Sequence, residues 1–305
     1  MQTTDTIMMV RPYEFRMNEE TAVNNYFQEE EVKTDRLDDL ALAEFDNFVK
    51  TLENAGIRVI VVQDSGKFDT PDSIFPNNVI SFRKNHAILY PMFAENRQRE
   101  RNLNYLGKLE QAGIHFDKLT DYTYFEDQKL YLEGTGSMVL DRVNRIAYCS
   151  LSDRADLQIL NIFCEDQDYS PIAFHATQDV EGKQLPIYHT NVMMCVGTNF
   201  CLICLDSIKS PEEKAMLVNK FQETNKDIIE ISEAQMHRFA GNMLEVHNKD
   251  GEPFICMSSQ AFESLEEEQV KALEKHAQLL HAPLFSIEKY GGGSARCMMA
   301  EVFYQ

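Results

Sequence analysis

A repeated pair of short apolar strands most constrains how this chain of 305 residues can fold. Four such pairs are predicted, each with a turn between its strands, and they begin at Asn78, Ser137, Asn191 and Asn242. A last apolar run begins at Cys297, so the intervals between successive starts are 59, 54, 51 and 55 residues. A period of about 50 residues indicates similar units arranged around an axis.

The fifth unit lacks a second strand at the end of the sequence. Thr6–Val10 is predicted to be a short buried strand, and we expect it to complete the fifth unit and close the ring. Ile57–Val62 is predicted to be another strand. Helical patterns cover 35–55 with Asp35 as N-cap, Ala94–Gln111, the residues after Ser152, those from Pro211, and Leu265–Leu280 with Ser264 as N-cap. No linker divides the sequence, so residues 1–305 are predicted to form one α/β domain whose hairpin starts face a common centre.

Charge and cysteine content exclude several functional classes. The formal net charge is −20, which repels phosphate backbones and anionic membranes, so we expect neither nucleic-acid nor membrane binding. Seven cysteines without dense spacing are typical of reduced thiols in a cytoplasmic protein. Cys201 and Cys204 have the spacing of a metal pair, but on a strand they would point to opposite faces. We therefore predict no metal site.

The glycine-rich loop before Cys297 is the first candidate for chemistry. Gly291, Gly292 and Gly293 allow turns closed to other residues, and they lead into the last apolar run. A thiol at this joint could be rigidly held and still be reached by a substrate. The alternative is that Cys297 is a small buried hydrophobic residue before a core strand.

Polar residues at other hairpin starts favour the chemical interpretation. Glu133 lies in a glycine-rich loop before the second hairpin, and His189 lies just before the third. Asp72, Asn77 and Asn78 precede the first hairpin. A thiolate, an imidazole and a carboxylate are the groups needed for covalent attack on an electrophilic carbon with proton transfer to a leaving group. Their similar place in successive repeats predicts that they meet at the centre.

The same stretches resemble a known superfamily. Pro71–Phe75, Leu132–Gly134, His189–Asn191 and Gly291–Cys297 follow the order found in guanidino-group-modifying enzymes. These are the arginine deiminases, dimethylarginine dimethylaminohydrolases and amidinotransferases, and they share the pentein fold. The resemblance implies a five-module α/β-propeller with pseudo-fivefold ββαβ repeats. Met9–Pro12 and the loop from Asp72 to Asn78 look most similar to bacterial citrulline-utilising hydrolases.

The resemblance also implies roles for individual residues. Cys297 matches the nucleophile, His189 the general acid and base, and Glu133 the carboxylate that holds the planar group and supports the imidazole. The resemblance also implies substrate binding by Asp72, Arg97 and Arg154. Asn77, Asn78 and Asn191, which lie at hairpin starts, are predicted to bind the substrate with them. The two arginines resemble those that bind the substrate α-carboxylate, a task suited to a bidentate guanidinium.

Two positions depart from the superfamily pattern. Relatives that act on guanidinium groups carry an acidic residue at the position of Asn78. Arginine deiminases also carry an aspartate at the position of Asn191. Leaving a guanidinium unpaired in a dry pocket is costly, whereas amides offer both donors and acceptors to a neutral urea. The sequence therefore favours citrulline, or another ureido compound, over arginine.

The sequence thus predicts a cofactor-free hydrolase that converts citrulline to ornithine, carbon dioxide and ammonia through a covalent cysteine adduct. An amidinotransferase, or a hydrolase of arginine or dimethylarginine, is the alternative, because the same catalytic residues serve each reaction. A non-enzymatic pentein protein is a third class, against which Cys297 and His189 argue. The expected partner is a small amino-acid substrate, and the oligomeric state stays open, a homo-oligomer included.

Overall fold

The structure, a computed structural model, describes residues 1–29 and 37–304. The predicted N-cap Asp35 lies outside these residues. None of the helices described is both long and apolar enough to cross a membrane.

Short strands and short helices alternate along the chain. The strands are β1 (Thr6–Arg11), β2 (Arg58–Gln63), β3 (Ile80–Arg83), β4 (His86–Leu89), β5 (Lys118–Asp121), β6 (Met138–Asp141), β7 (Ile146–Ser150), β8 (Ser170–Phe174), β9 (Thr177–Val180), β10 (Lys183–Pro186), β11 (Met194–Val196), β12 (Phe200–Ile203), β13 (Asp227–Glu230), β14 (Leu244–His247), β15 (Pro253–Ser258), β16 (Gln278–Ala282) and β17 (Ala300–Glu301). The α-helices are α1 (Glu19–Ala22), α2 (Leu37–Asn54), α3 (Glu95–Gln98), α4 (Tyr105–Gln111), α5 (Gly134–Ser137), α6 (Leu157–Gln167), α7 (Thr190–Met193), α8 (Pro211–Glu223), α9 (Glu233–Met236), α10 (Ser259–Ser264), α11 (Glu267–Glu274) and α12 (Phe285–Gly291).

One sheet plan recurs through the described residues. In four three-stranded sheets an antiparallel hairpin is followed, after helical sequence, by a third strand parallel to the second strand of the hairpin. These sheets are β3-β4-β5, β6-β7-β8, β11-β12-β13 and β14-β15-β16. The plan confirms a mixed α/β fold, and the four predicted hairpins are present.

The two ends of the chain share a fifth sheet, ordered β17-β1-β2. β17 is antiparallel to β1, with Ile7 opposite Glu301 and Met8 opposite Ala300, and β1 is parallel to β2. The prediction that the N-terminal strand completes the C-terminal unit is therefore confirmed.

Helix α2 shows how the helices cover these sheets. Its buried face consists of Ala41, Phe45, Phe48 and Leu52, which follow the spacing of an amphipathic helix and have no exposed surface. Each buried phenylalanine or leucine contributes about 1.5–3 kcal/mol of transfer free energy. This face packs against β2, β16 and α12, and so joins the first and last parts of the chain.

Two predicted helices are interrupted. Ala94–Gln111 is divided into α3, a 3₁₀ turn at Arg99–Asn102, and α4, because Leu103 adopts an extended backbone with ψ 143°. Leu265–Leu280 is also wrong as a single helix, since α11 ends at Glu274 and β16 follows. Its N-cap is Glu266, and Ser264 instead closes α10.

The hairpin strands begin later than the sequence indicates. Ser137 ends the single turn α5, and Asn191 lies in the single turn α7, so β6 and β11 begin at Met138 and Met194. Cys297 occupies a turn three residues before β17 begins at Ala300. The first residues of these units therefore lie in tight turns and not in strands.

Candidate active site

Cys297 lies in a buried turn between α12 and β17, with 2% of its surface exposed. Its backbone N–H donates to the carbonyl of Ser294 at 3.0 Å. The turn follows Gly292, which caps α12 in the left-handed conformation with φ 63°. A side chain at Gly292 would also place its Cβ 2.5 Å from Nδ2 of Asn25. The glycine is therefore required both by its backbone conformation and by close packing.

Two asparagine amides contact the sulfur of Cys297. The Nδ2 atoms of Asn191 and Asn242 each lie 3.3 Å from Sγ. Asn191 comes from α7, and Asn242 comes from the loop before β14. Three units of the fold therefore meet at the thiol, as the repeat predicted.

His189 and Glu133 form a buried pair beside this turn. His189 precedes α7 and Glu133 precedes α5, so each lies at the N-terminal end of a single helical turn. Nε2 of His189 lies 2.7 Å from Oε2 of Glu133. The other carboxylate oxygen accepts the backbone N–H of Phe93 at 2.9 Å. Because an ionised carboxylate only accepts, the proton on Nε2 belongs to the imidazole, and Nδ1 is left without a proton in the neutral ring.

The pKa values of the pair follow from burial and charge. Burial alone would raise the pKa of Glu133, but the Arg154 charge and the His189 hydrogen bond hold it at about 2. Burial lowers the pKa of His189 to about 4, against the opposing hydrogen bond and charge of Glu133. At neutral pH the free protein therefore holds an ionised Glu133 and a neutral His189.

A small cavity adjoins Cys297 and His189. It is lined by Asn25, Asp72, Phe75, Asn78, Arg97, Arg154, Tyr188, His189, Gly291, Gly292, Gly293 and Cys297. The space between these groups is sufficient for only about one water molecule. The thiol and the imidazole thus face a common site that is closed in this conformation.

A sequence comparison places the chain in a family. The sequence profile of the N,N dimethylarginine dimethylhydrolases, eukaryotic type, matches residues 11–304. The chain belongs to this family. It is a family of hydrolases within the guanidino-modifying pentein superfamily, as the sequence motifs predicted. No curated protein matches the sequence.

Several solved structures are similar in fold to this chain. ArgZ, an arginine dihydrolase from the ornithine–ammonia cycle in Cyanobacteria, superposes with a TM-score of 0.76 at 17% identity, over 98% of this chain and 41% of ArgZ. The chain thus spans less than half of that relative. The separate N-terminal domain of ArgZ, a cysteine-to-serine mutant bound to substrate, gives a TM-score of 0.73 at 17% identity, with 98% of both chains covered. DDAH from Pseudomonas aeruginosa, a cysteine-to-serine mutant complexed with citrulline, gives 0.64 at 16% identity, over 98% of this chain and 99% of that one.

Asp72 lies deep in the site of this dimethylhydrolase-family chain. Its Oδ2 accepts from Nδ2 of Asn18 at 2.7 Å and from the hydroxyl of Thr21 at 3.2 Å. Its Oδ1 is buried without a partner among the described residues. Burial raises the pKa of Asp72, against the neighbouring charge of Arg97. The free oxygen is an acceptor available to a ligand that carries N–H groups.

The two predicted carboxylate-binding arginines line the cavity but have partners within the protein. Arg97 donates through Nε and Nη2 to Glu100 at 2.8 and 3.0 Å, and reaches the carbonyl of Phe75 at 3.1 Å. Arg154 donates to the carbonyl of Thr21 at 2.8 Å and lies 3.7 Å from Glu133. Their binding of a substrate carboxylate stays a prediction.

The two asparagines of the first hairpin face different surroundings. Asn78 lines the cavity, and its buried Oδ1 has no partner in the described part of the chain. Asn77 instead donates to the hydroxyl of Thr135 at 3.3 Å, and its carbonyl accepts from that hydroxyl at 3.2 Å. Asn77 therefore joins the first and second units, and it is not one of the cavity-lining residues.

Residues 18–29, here called the covering segment, close the site. Besides its contacts with Asp72 and Arg154, the segment donates from Asn25 to the carbonyl of Gly292 at 3.3 Å and from Gln28 to that of Gly291 at 3.2 Å. It thus spans from the first hairpin to the glycine loop. A whole amino acid is larger than the closed cavity, so the residues around the cavity must rearrange before one can bind.

Two site residues were missed by the sequence analysis. Asn242 was identified only as a hairpin start, although its register matched Asn191 and Cys297. Tyr188 donates its hydroxyl to Gly292 at 2.5 Å, and its ring lies 4.9 Å from the Arg154 guanidinium carbon. Its position beside His189 was the only signal in the sequence. Within 1–29 and 37–304 no cluster of His, Cys, Asp and Glu suited to a metal ion is found.

Proposed function

We propose that this chain is a cofactor-free hydrolase of a ureido amino acid, with citrulline as the substrate, Cys297 as the nucleophile and His189 as the general acid and base. Glu133 acts through His189 as a positioning residue. The observation that carries the proposal is the convergence of Cys297, His189 and the amide of Asn78 on one closed cavity. Membership in a hydrolase family supports the same reaction class.

The geometry supports a reaction in two stages, in which a covalent intermediate forms on Cys297 and water then hydrolyses it. The sulfur of Cys297 attacks the ureido carbon while Nδ1 of His189 takes the thiol proton. The δ-nitrogen of the ornithine part then leaves with that proton, and a carbamoyl thioester stays on Cys297. Water attacks this thioester as Nδ1 accepts its proton, and the sulfur departs. The released carbamate decomposes to carbon dioxide and ammonia.

The amides around Cys297 favour a ureido group over a dimethylated guanidinium. Asn78 and Asp72 line the cavity, and each has a buried Oδ1 without a hydrogen-bond partner among the described residues. Either substrate carries an NH2 group that can donate to such acceptors, but a ureido group is neutral, whereas a dimethylated guanidinium is a cation. Both groups on the sulfur are amides, and the carboxylate of Glu133 is engaged by His189 and Phe93.

Dimethylarginine is the second candidate, because the matching family profile is that of dimethylarginine hydrolases. Arginine is a third, since ArgZ is an arginine dihydrolase with a similar fold. In this proposal Asp72, Asn78 and Arg154 bind the substrate once the covering segment has moved, whereas Arg97 orders the loop around Asp72.

The proposal includes an architecture and a compartment. We propose that residues 1–305 form one five-module pentein propeller, supported by the recurring sheet plan and by the pairing of β1 with β17. We also propose a cytoplasmic location. All seven cysteines are free, which suits a reducing compartment.

Product analysis on three substrates tests the function. Purified protein is incubated separately with citrulline, arginine and dimethylarginine, with and without an added amine acceptor, and Cys297→Ser serves as the blank. We expect the highest kcat/KM with citrulline, with ornithine and ammonia released without an acceptor. Dimethylamine as the main product would establish the second candidate, and turnover that needs the acceptor would establish an amidinotransferase.

A further inference from the structure

The side chain of Asn242 makes four hydrogen bonds, all to the segments that carry Asn191 and Cys297. Its Nδ2 donates to the carbonyl of Asn191 at 2.9 Å and lies 3.3 Å from Sγ of Cys297. Its Oδ1 accepts the backbone N–H of Arg296 at 3.0 Å and that of Cys297 at 3.4 Å. The side chain is completely buried.

These contacts fix which end of the amide faces the sulfur. Two backbone N–H groups point at Oδ1, so a reversed amide would set donors against donors. The loop that carries Asn242 also packs closely against α7, because a Cβ at Gly241 would lie 2.4 Å from the carbonyl of Val192. An N–H of Asn242 is therefore directed at Sγ by the fold itself.

We propose that Asn242 is a further catalytic residue, which acts with Asn191 to stabilise the thiolate of Cys297 through two N–H donors. The role rests on the proposed function of Cys297 as the nucleophile. In this proposal Asn191 donates to the sulfur of Cys297 and does not bind the planar group of the substrate. The two amides come from adjacent units of the repeat and approach one sulfur at the same distance of 3.3 Å.

Hydrogen bonds to an anion are stronger than those to a neutral group. Two N–H donors aimed at a buried sulfur therefore favour the thiolate over the thiol, and the thiolate is the nucleophilic form. A buried thiolate without such donors would bear the full cost of desolvation. The neutral amides supply this stabilisation without a positive charge that would repel an incoming cationic amino group.

Other ionisable groups around Cys297 also influence how readily its thiol ionises. A variant that tests the proposal must therefore leave these groups unchanged. Arg296 precedes Cys297 on the same turn, and its guanidinium donates to Glu301 at 2.8 Å. The remaining groups line the same cavity or lie directly behind it, and they are Asp72, Arg97, Arg154, Tyr188, His189 and Glu133. Neither Asn242→Ala nor Asn191→Ala removes any of these groups.

The test is a pH titration of the thiolate by its ultraviolet absorbance, with no substrate present. For each variant the spectrum of the same variant carrying Cys297→Ser is subtracted, which isolates Cys297 from the other six cysteines. We expect Asn242→Ala to raise the pH of half-ionisation of Cys297 by about 1–2 units. Asn242→Asp keeps the Oδ1 acceptor for the turn but replaces the donor, so we expect a rise at least as large.

Asn248 provides a matched control at the other end of β14. It is a buried asparagine whose Oδ1 accepts the backbone N–H groups of Asp250 and Glu252 at 3.0 Å, and it has no contact with Cys297. We expect Asn248→Ala to leave the titration unchanged. Circular dichroism and thermal unfolding of each variant check that the fold is retained.

An unchanged titration in folded Asn242→Ala and Asn242→Asp would overturn the proposal. If neither variant folds, the same titration of Asn191→Ala tests the proposal, because this variant removes the second donor, which comes from a different unit. An unchanged titration in folded Asn191→Ala would then overturn the proposal. Turnover assays separate this result from the proposed function. A shifted titration in a protein that does not hydrolyse citrulline would reject the substrate and keep the donor role.

Discussion

Nε2 of His189 lies 2.7 Å from Oε2 of Glu133, and this contact determines which nitrogen of the imidazole exchanges protons. The carboxylate holds the proton on Nε2, so Nδ1 is the basic nitrogen. Nδ1 makes no hydrogen bond to any residue within 1–29 or 37–304. The same carboxylate is fixed by Phe93 and lies near Arg154, so the direction of the imidazole is set by three separate segments of the chain.

Glu133→Gln should lower turnover by roughly 10²–10⁴-fold while the fold is kept. A glutamine amide can donate to Nε2, which moves the proton to Nδ1 and removes the base. Glu133 also raises the pKa of His189 by its hydrogen bond and charge, so its loss lowers that pKa below about 4. The measurement is the pH profile of kcat/KM, whose acid limb should move to lower pH.

His189→Ala provides the comparison for Glu133→Gln. If the carboxylate acts only through the imidazole, the double variant should be about as slow as His189→Ala alone. If the rate loss of the double variant equals the product of the two single losses, Glu133 contacts the substrate independently of His189. A loss smaller than about tenfold in His189→Ala would leave this residue structural.

Cys297→Ser should abolish turnover without unfolding the protein, because a serine hydroxyl is scarcely ionised and no stronger base contacts it. Cys256→Ser is the matched control, since Cys256 is also buried but lies within β15. We expect it to lower stability and to keep activity. Substrate-protected alkylation mapped by mass spectrometry to another cysteine would contradict the assignment of Cys297.

The hairpins and their polar first residues could be predicted because both signals are local. A turn between two apolar runs is visible in sequence, and so is an asparagine at the same place in several repeats. The third strands of three hairpin sheets could not be predicted, since β5, β13 and β16 are short and largely exposed. Their pairing comes from β4, β12 and β15, and not from an apolar pattern of their own.

The sequence could indicate the residues of the site but not the contacts that they make. The register of the repeat aligns Asn242 with Asn191 and Cys297, but only the fold shows that its amide contacts the sulfur of Cys297, 55 residues later. Likewise, the sequence indicated Arg97 as a carboxylate-binding residue but did not show that its guanidinium also pairs with Glu100. Such contacts depend on where side chains lie in space.

Gly136→Ala should nearly abolish activity. A Cβ at this position would lie 2.2 Å from Oδ1 of Asn78 and 2.8 Å from Nδ1 of His189. Both groups must shift, and a displacement of about 1 Å at a catalytic group costs roughly 10²-fold in rate. The measurement is kcat/KM together with the thermal unfolding temperature.

Gly107→Ala is the control for this substitution. Gly107 lies within α4, where the atoms nearest to an added Cβ belong to the exposed side chain of Asn104. That side chain can turn away, and alanine favours a helix, so activity should be retained. Equal activity losses in the two variants would mean that the close packing at Gly136 is irrelevant to catalysis.

Asn78→Asp should change substrate preference by charge. A carboxylate at this cavity wall would attract a guanidinium and lose the donor that an amide offers to a ureido oxygen. We expect weaker citrulline turnover and arginine binding improved by roughly 1–3 kcal/mol. Asn77→Asp is the control, because Asn77 donates to Thr135 outside the cavity lining. Preference for arginine in the unmodified protein would contradict the interpretation of the amides.

Glu288→Gln should stabilise the protein more at alkaline than at acidic pH. Glu288 lies in α12 with 1% of its surface exposed, and Oε1 accepts the hydroxyl of Ser294 at 2.5 Å. Burial raises its pKa from 4.5 to about 7. Because the folded state binds this proton more tightly than the unfolded state, stability is greatest below the unfolded pKa and falls as the pH rises from 4.5 to about 7.

Glutamine keeps the oxygen that accepts from Ser294 and carries no charge, so it removes this loss. We expect the free energy of unfolding in urea to rise by about 1–3 kcal/mol at about pH 8 and to change little at about pH 5. Glu274→Gln, at the exposed end of α11, should show no such pH dependence. A gain of equal size at both pH values would mean that the change acts through packing and not through the buried carboxylate.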